Sequence, residues 1–213
     1  TKNITKKYEN SIKGFSKIWN RKYTLMYDYI IETYSIDCSI DQDIVNTFVK
    51  DWSNLPGFAK ILFRPKDEIE CSILLKLCNA CKVSITISAG RTNLTGSATP
   101  YGGAILSTTL LTTPEVKINV TENDVISPVG ITLEVMRNEI LKQSNNKLYY
   151  PVDPTSRHDA FVGGTLLCNA SGFIPGEKGA TRFWVKELTF LLPNGNLINT
   201  NRGQHISQNG FFL

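Results

Sequence analysis

The stretch Ser88-Ala89-Gly90-Arg91-Thr92-Asn93-Leu94-Thr95-Gly96 decides how this chain folds. An alternating apolar run at residues 83–87 precedes it, and a second apolar run, Ala104-Ile105-Leu106, follows it. Both runs predict β-strands, so the stretch is a small-residue loop between two strands. Small side chains allow backbone N–H groups to converge into a concave nest that binds phosphate oxygens. An ordinary turn between strands is an alternative of equal weight, because a glycine-containing fragment is a weak motif on its own.

The composition is typical of a globular protein. Of 213 residues, 41% are hydrophobic and 20% are charged, and the net charge is +4. No block of about five or six basic residues points to nucleic acid, and no apolar run reaches the roughly 18 residues of a membrane helix. The five cysteines form no regular framework, which favours free thiols in a reducing compartment. We therefore expect a cytoplasmic protein.

Two groups of residues suggest metal sites but lack the required spacing. Cys78-Asn79-Ala80-Cys81 is a C-x-x-C motif without a second ligand pair, and it ends a helix-like stretch, so we interpret its thiols as half-buried helix residues. Four carboxylates before residue 60 fit no calcium-loop template, and we expect them in a solvated connector. They are Asp37, Asp41, Asp43 and Asp51. The sequence therefore predicts no metal site.

From residue 60 onward the pattern predicts a β-α-β unit. Ile61-Leu62-Phe63 indicates a strand, and Asp67-Glu68 begins a helix with apolar residues at helical spacing. The strand at 83–87 must then run parallel to the first, since a helical crossover joins them. This places the small-residue loop at the carboxyl end of a strand, where open α/β sheets bind ligands.

The rest of the chain alternates between further elements and small-residue loops. Strands are predicted at 104–107, 116–120 and 124–127, and a helix at 131–141. Asn194-Gly195 predicts the turn of a hairpin that joins residues 185–192 to residues 197–199. Residues 1–35 are rich in Lys, Asn and Tyr, with a helix expected from about Ile18 to Ile31. The composition shift near residue 60 separates an N-terminal helical extension, 1–59, from the main domain, 60–213.

Taken together, the small-residue loops resemble one family. After Ser88–Gly96 come Pro128-Val129-Gly130, Pro151-Val152-Asp153-Pro154 and Gly163-Gly164, then Asn169-Ala170-Ser171-Gly172 and Gly179-Ala180-Thr181-Arg182. In this order and spacing they resemble the FAD-binding domain of the vanillyl-alcohol oxidase and p-cresol methylhydroxylase (PCMH) family. The likeness is greatest to its branch of FAD-linked glycolate oxidases and D-lactate dehydrogenases. Arg91 departs from the pattern, because the family has consecutive glycines there.

The resemblance implies an α+β fold, a PCMH-type FAD-binding domain of two α/β lobes. Lobe one, about 60–103, would be the small β-α-β unit. Lobe two, about 104–213, would be a larger mixed sheet with flanking helices. The substrate-binding cap that follows in the family is expected to be absent from this chain. FAD would lie extended between the lobes.

The resemblance also implies which residues bind FAD, non-covalently. Backbone amides of Ser88 to Asn93 would hold the diphosphate, with Gly163, Gly164 and Asn169 near the flavin. Neither His158 nor His205 matches a covalent flavin linkage, and we expect the Cys168 thiol to be packed rather than bonded to flavin. The predicted cofactor-binding residues are Ser88, Ala89, Gly90, Arg91, Thr92, Asn93, Leu94, Gly130, Asp153, Pro154, Ser156, Gly163, Gly164, Cys168, Asn169, Gly172, Gly179 and Arg182.

By the same resemblance, the protein is expected to be a flavin-dependent oxidoreductase. It would oxidise a 2-hydroxy acid such as D-lactate or glycolate by hydride transfer to flavin and pass the electrons to an acceptor. A partner subunit or peripheral membrane association is compatible with this function, and nucleic acid is not expected. We assign no catalytic base. The alternatives are a transferase similar to alkylglycerone-phosphate synthase and a stand-alone, non-catalytic flavin-binding module.

Overall fold

The computed structural model describes residues 1–201; residues 202–213, with His205 and the end of the predicted main domain, lie outside the described part. The helices are α1 (Glu9–Ile18), α2 (Tyr23–Tyr34), α3 (Gln42–Asn46), α4 (Glu68–Cys81), α5 (Leu133–Gln143), α6 (Val162–Leu167) and α7 (Pro175–Lys178). The strands are β1 (Cys38–Ser39), β2 (Ile61–Phe63), β3 (Ile85–Ser88), β4 (Ala104–Ser107), β5 (Lys117–Asn119), β6 (Asp124–Ile126), β7 (Glu187–Leu191) and β8 (Leu197–Asn201). Two 3₁₀ turns, Lys6–Tyr8 and Thr181–Trp184, complete these elements.

A four-stranded sheet in the order β1-β2-β4-β3 forms the centre of the fold. β4 lies between β2 and β3 and runs parallel to both, so the β-α-β prediction is confirmed, with one strand inserted between its two strands. Ser88 at the end of β3 is in register with Ser107 at the end of β4. The small-residue loop therefore leaves the sheet at its carboxyl edge. β4, predicted as the start of lobe two, pairs with both strands of the β-α-β unit.

The crossover helix α4 is defined by its ends and its buried face. Asp67 caps its first turn by accepting a hydrogen bond from the Glu70 amide at 2.8 Å. Lys82 ends it in the left-handed conformation, at φ 56°, so that β3 begins at Ile85 rather than at residue 83. Cys71, Cys78 and Cys81 lie on the buried face, and burial raises the pKa of the Cys71 thiol to about 12 and that of Cys81 to about 11. The C-x-x-C cysteines are helix residues, as predicted, but they are buried rather than half-buried.

The N-terminal helix predicted from Ile18 to Ile31 is wrong in its position. α1 ends at Ile18 and α2 begins at Tyr23, because the chain turns between them with Arg21 at φ 66°. The two helices pack against each other through the rings of Phe15 and Tyr29, which stack with centroids 4.1 Å apart. Their buried residues belong to the core beneath α4 and the central sheet, and they are Ile12, Phe15, Met26 and Ile30.

The solvated connector expected before residue 60 is confirmed only in part: Asp37, Asp41 and Asp43 are exposed, but the segment as a whole packs into the fold. β1 pairs antiparallel with β2, and the α3 region buries Val45 and Val49 in a second cluster with Ile105. Asp51 is only 4% exposed. The spacing of the Asp residues along the chain carries no information about these long-range contacts.

The later part of the chain adds two small antiparallel sheets and confirms the α+β class. β5 pairs with β6, and β7 pairs with β8 around the predicted Asn-Gly turn, with Leu191 opposite Leu197. α5 buries Leu133, Met136 and Ile140 in a third cluster. Val135, in the same helix, is 47% exposed. Among the residues that the structure describes, no helix is both long and apolar enough to span a bilayer.

Candidate functional site

The loop that follows β3 presents a row of unpaired backbone amides. Within residues 1–201, none of the amides from Ala89 to Ser97 donates a hydrogen bond to the protein. The row ends where the Ala98 amide donates to Asp51 Oδ2 at 3.2 Å and the Thr99 amide donates to the Gly96 carbonyl at 3.0 Å. Leu94, Thr95 and Ser97 are exposed, but the residues from Ala89 to Asn93 are half-buried, and half-buried amides of a folded protein usually find partners, so these are available to a bound anion.

Two side chains of the loop also bury polar atoms without a partner. The Ser88 hydroxyl is completely buried, and neither its oxygen nor Arg91 Nη1 has a hydrogen-bond partner among the described residues. Arg91 stands at φ 55°, and its guanidinium carbon lies 4.7 Å from the centroid of the Phe48 ring. Burial lowers the pKa of Arg91. The loop thus combines open amides with a positive side chain that has no acidic partner among residues 1–201.

Close contacts bring two further small-residue regions to this loop, a second at residues 153–159 and a third at residues 162–172. A Cβ added at Gly90 would lie 1.9 Å from the Asp159 carbonyl oxygen and 3.2 Å from the Ala160 Cα. A Cβ added at Gly164, in α6, would lie 3.5 Å from that of Ala89. The loop therefore rests directly on the backbone of residues 159–164.

Backbone hydrogen bonds link the remaining predicted segments to one another. The Thr108 amide donates to the Ser88 carbonyl at 2.9 Å, and the Gly163 amide donates to the Val129 carbonyl at 3.0 Å. Further links join Gly130 to Leu111 at 2.9 Å, Phe173 to Asp153 at 3.1 Å and Thr181 to Ala170 at 2.9 Å. The predicted segments thus form one connected region of the molecule. Leu94, 72% exposed, lies at its outer rim.

Asp153 and Pro154 hold the second region in shape. Asp153 accepts two hydrogen bonds from Arg157 Nη1, at 3.0 and 3.2 Å, and the Pro154 carbonyl accepts from the Arg157 amide at 3.1 Å. Arg157 Nε donates to Glu134 Oε2 at 2.9 Å, which ties the turn to α5. The hydrogen bond from Arg157 to Asp153 is the largest effect that raises the pKa of Arg157. In this turn the Ser156 carbonyl accepts from the Ala160 amide at 2.7 Å.

The third region meets a fourth small-residue region, residues 176–182, at Asn169. Its backbone is left-handed, at φ 49°, and its Oδ1 accepts from the Arg182 amide at 3.1 Å. A Cβ added at Gly172 would lie 2.5 Å from the Asp153 amide nitrogen, and one added at Gly179 would lie 2.8 Å from Phe183 Cδ2. All four regions are therefore packed together. The packed environment expected for Cys168 is wrong, because its thiol is exposed where the short helix α6 ends.

Sequence reasoning missed Asp51 as a residue of this site. Asn93 Nδ2 donates to its carboxylate at 2.6 Å, and so does the Ala98 amide. Burial raises the pKa of Asp51, but hydrogen bonds from Ser53, Asn93 and Ala98 outweigh it and leave the pKa below its usual value. The local signal was the sequence Asp51-Trp52-Ser53, in which the carboxylate accepts from the Ser53 amide at 2.9 Å, as in an Asx turn. Its link to Asn93 spans 42 positions, which no local pattern reveals.

The arrangement fits an extended dinucleotide. The open amides and Arg91 would face the diphosphate, and the missing side chain at Gly90 lets the loop lie directly on the backbone at Asp159. No group of three or more potential metal ligands occurs among residues 1–201, and a dinucleotide site of this kind requires none.

Comparisons with known proteins agree with this geometry. Residues 59–201 match the family described as FAD binding domain. The D-lactate dehydrogenase of Anaerostipes hadrus is 29% identical over 177 residues, which cover 82% of this chain and 36% of the relative. The mitochondrial D-lactate dehydrogenase [cytochrome] of Arabidopsis thaliana is 33% identical over 162 residues, which cover 75% of this chain and 27% of the relative. The chain spans about a third of the length of these relatives.

Solved structures share the fold at lower sequence identity. An alkyldihydroxyacetonephosphate synthase superposes with a TM-score of 0.73 at 16% identity, over 86% of this chain and 39% of the other. The 6-hydroxy-D-nicotine oxidase of Arthrobacter nicotinovorans superposes with a TM-score of 0.67 at 15% identity, over 78% of this chain and 36% of the other. These likenesses show the fold alone.

Proposed function

This chain belongs to the FAD binding domain family, and we propose that it is the cofactor-binding part of an oxidoreductase that oxidises a 2-hydroxy acid such as D-lactate or glycolate. The row of unpaired amides from Ala89 to Ser97 carries the proposal, because a diphosphate supplies the acceptors that these donors lack. Relatives named D-lactate dehydrogenase, D-2-hydroxyglutarate dehydrogenase and glycolate oxidase subunit GlcD support the substrate class.

Each part of the site has a separate task in this proposal. The amides from Ala89 to Asn93 bind the diphosphate, and Thr92 adds a hydroxyl donor. Arg91 adds positive charge beside them, and Gly163 and Gly164 let the backbone approach the flavin end. Asp153, engaged by Arg157, positions the turn that contains Ser156. Bound FAD supplies the redox chemistry by accepting a hydride from the hydroxyl-bearing carbon, while the protein supplies placement and electrostatics.

The partners of this domain follow from the same reaction. They are a small hydroxy acid and an electron acceptor that reoxidises the flavin; the name of the Arabidopsis relative includes cytochrome.

We place the protein in the cytoplasm, since its five cysteines are free and four of them are buried on the interior side of helices and strands. Transferase chemistry has weaker support, because the synthase likeness lies in the fold alone.

Visible absorption spectroscopy of the purified protein, reconstituted with FAD, tests the proposal. A bound flavin band that is bleached by D-lactate or glycolate without oxygen supports it. A flavin band that no 2-hydroxy acid bleaches contradicts the oxidation and leaves the cofactor site standing. Protein that binds no flavin contradicts both. In the Gly90→Ala variant a methyl group collides with the Asp159 carbonyl, and flavin binding is expected to weaken.

A further inference from the structure

We propose that Asp51 is a positioning residue for FAD, fixing the loop at 89–98 so that the amides from Ala89 to Ser97 stay open toward the diphosphate. The inference rests on the proposed function. Asp51 lies before the segment that matches the family, residues 59–201, and the sequence pattern assigned it no task.

The Asp51 carboxylate is saturated by donors from two segments of the chain. Oδ2 accepts from Asn93 Nδ2 at 2.6 Å and from the Ala98 amide at 3.2 Å, and both donors belong to the loop. Oδ1 accepts from the Ser53 amide at 2.9 Å and also from the Ser53 hydroxyl. The residue is 4% exposed, so water does not replace these bonds easily.

This environment specifies a carboxylate rather than any polar side chain. All four partners are donors in these bonds, and only an ionised carboxyl offers two acceptor oxygens without a hydrogen. An asparagine would turn an NH₂ group toward Asn93 and Ala98 or toward Ser53. In either orientation a buried donor would face another donor.

The neighbours of Asp51 hold the same loop from the same side. The Trp52 amide donates to the Arg91 carbonyl at 3.2 Å, and the Phe58 amide donates to the Pro100 carbonyl at 2.9 Å. A Cβ added at Gly96 would lie 2.6 Å from Leu55 Cδ1. Within the loop, residues 51–58 therefore engage the Arg91 carbonyl, the Asn93 side chain and the Ala98 amide, and they leave the amides from Ala89 to Ser97 unpaired. Asp51 is the charged member of this clasp, which we define as residues 51–58.

The test separates positioning from general stability. Asp51→Asn is compared with Asp28→Asn, a surface carboxylate with no hydrogen bond or ion pair among residues 1–201. By titration calorimetry, Asp51→Asn is expected to bind FAD at least about tenfold more weakly than the wild type, as for a lost charged hydrogen bond, and Asp28→Asn is expected to bind it equally well. Ile30→Val, buried in α2, serves as a variant of reduced stability with an unaltered loop.

A second variant gives a rescue. Asn93→Asp in the Asp51→Asn background restores one amide–carboxylate bond with its polarity reversed, and part of the lost stability of the FAD-free protein is expected to return. Asn93→Asp alone places two carboxylates together and is expected to be less stable than the double variant. A third readout needs no cofactor: in the FAD-free protein, the Ala98 amide is expected to exchange its hydrogen faster in Asp51→Asn than in the wild type.

Two results would overturn the inference. One is Asp51→Asn binding FAD as tightly as the wild type. The other is an equal loss of affinity in Ile30→Val at matched stability, which would make the effect a general one. If the wild type binds no FAD, the proposed function fails, and hydrogen exchange decides the inference alone: unchanged exchange at Ala98 rejects the link between Asp51 and the loop.

Discussion

Gly90 is the residue at which the loop and the second small-residue region come closest. The Cβ of an alanine there would lie 1.9 Å from the Asp159 carbonyl oxygen, so one of the two backbones must move. We expect Gly90→Ala to lower the free energy of unfolding by about 1–3 kcal/mol and to weaken FAD binding. Thermal unfolding and FAD titration measure the two effects.

Gly14 is the matched control for this substitution. It lies in α1, and nothing is within 4 Å of its added Cβ. Gly14→Ala is therefore expected to raise stability by up to about 1 kcal/mol through helix propensity, with FAD binding unchanged. Equal effects of the two substitutions on FAD binding would contradict the close approach at Gly90.

Arg91 combines a left-handed backbone with a side chain that packs on Phe48. Its φ of 55° disfavours any residue with a Cβ, whereas glycine adopts it freely. We expect Arg91→Gly to be more stable than Arg91→Ala by about 1 kcal/mol, because both lose the contact with Phe48 and only glycine relieves the backbone. Urea unfolding of the two variants measures the difference. Both are expected to bind FAD more weakly than the wild type, and equal stability of the two would contradict the left-handed backbone at this position.

At the scale of single elements, α4 depends on its cap. Asp67 accepts from the Glu70 amide at 2.8 Å, and Glu70 Oε2 accepts from the Lys66 amide at 2.9 Å. We expect Asp67→Ala to lower the free energy of unfolding by about 1 kcal/mol and Asp67→Asn to lower it by less, since asparagine also caps helices. Denaturant unfolding monitored by circular dichroism checks this order. A loss as large for asparagine as for alanine would mean that charge, and not capping, sets the contribution.

Elements with local signals were predictable from the sequence, and those set by distant contacts were not. Asp67 indicated the start of α4 and Asn194-Gly195 indicated the β7–β8 turn, because a cap and a tight turn are decided by adjacent residues. The break at Arg21 has no such signal, and it is fixed by the packing of Phe15 on Tyr29. The burial of Asp51 depends on Asn93 and Ala98, far along the chain. Small-residue motifs were therefore enough to predict the loop residues of the candidate site. They did not predict Asp51, whose side chain holds that loop.

At the scale of the whole molecule, the boundary predicted near residue 60 does not interrupt the hydrophobic core. Met26 and Ile30 from α2 share one buried cluster with Ile61 and Leu106 of the central sheet. Polar contacts also join the two sides of this boundary. Thr5 Oγ1 and Ser72 Oγ are 2.7 Å apart, and Lys76 Nζ lies 3.2 Å from Glu9 Oε1. We therefore expect the N-terminal helices and the FAD-binding domain to unfold as one cooperative unit.

Ile30 and its neighbour Ile31 test this cooperativity. Ile30 is fully buried and Ile31 is 38% exposed, so Ile30→Ala is expected to lower the free energy of unfolding by about 2–5 kcal/mol and Ile31→Ala by less than about 1 kcal/mol. The loss in Ile30→Ala is expected to shift a single transition, seen alike by far-ultraviolet circular dichroism and by release of bound FAD. If α1 and α2 instead melt first while FAD stays bound, residues 1–59 form a separate unit. In that case the core that they share with the sheet contributes little to the site, and Asp51 must hold the loop without their support.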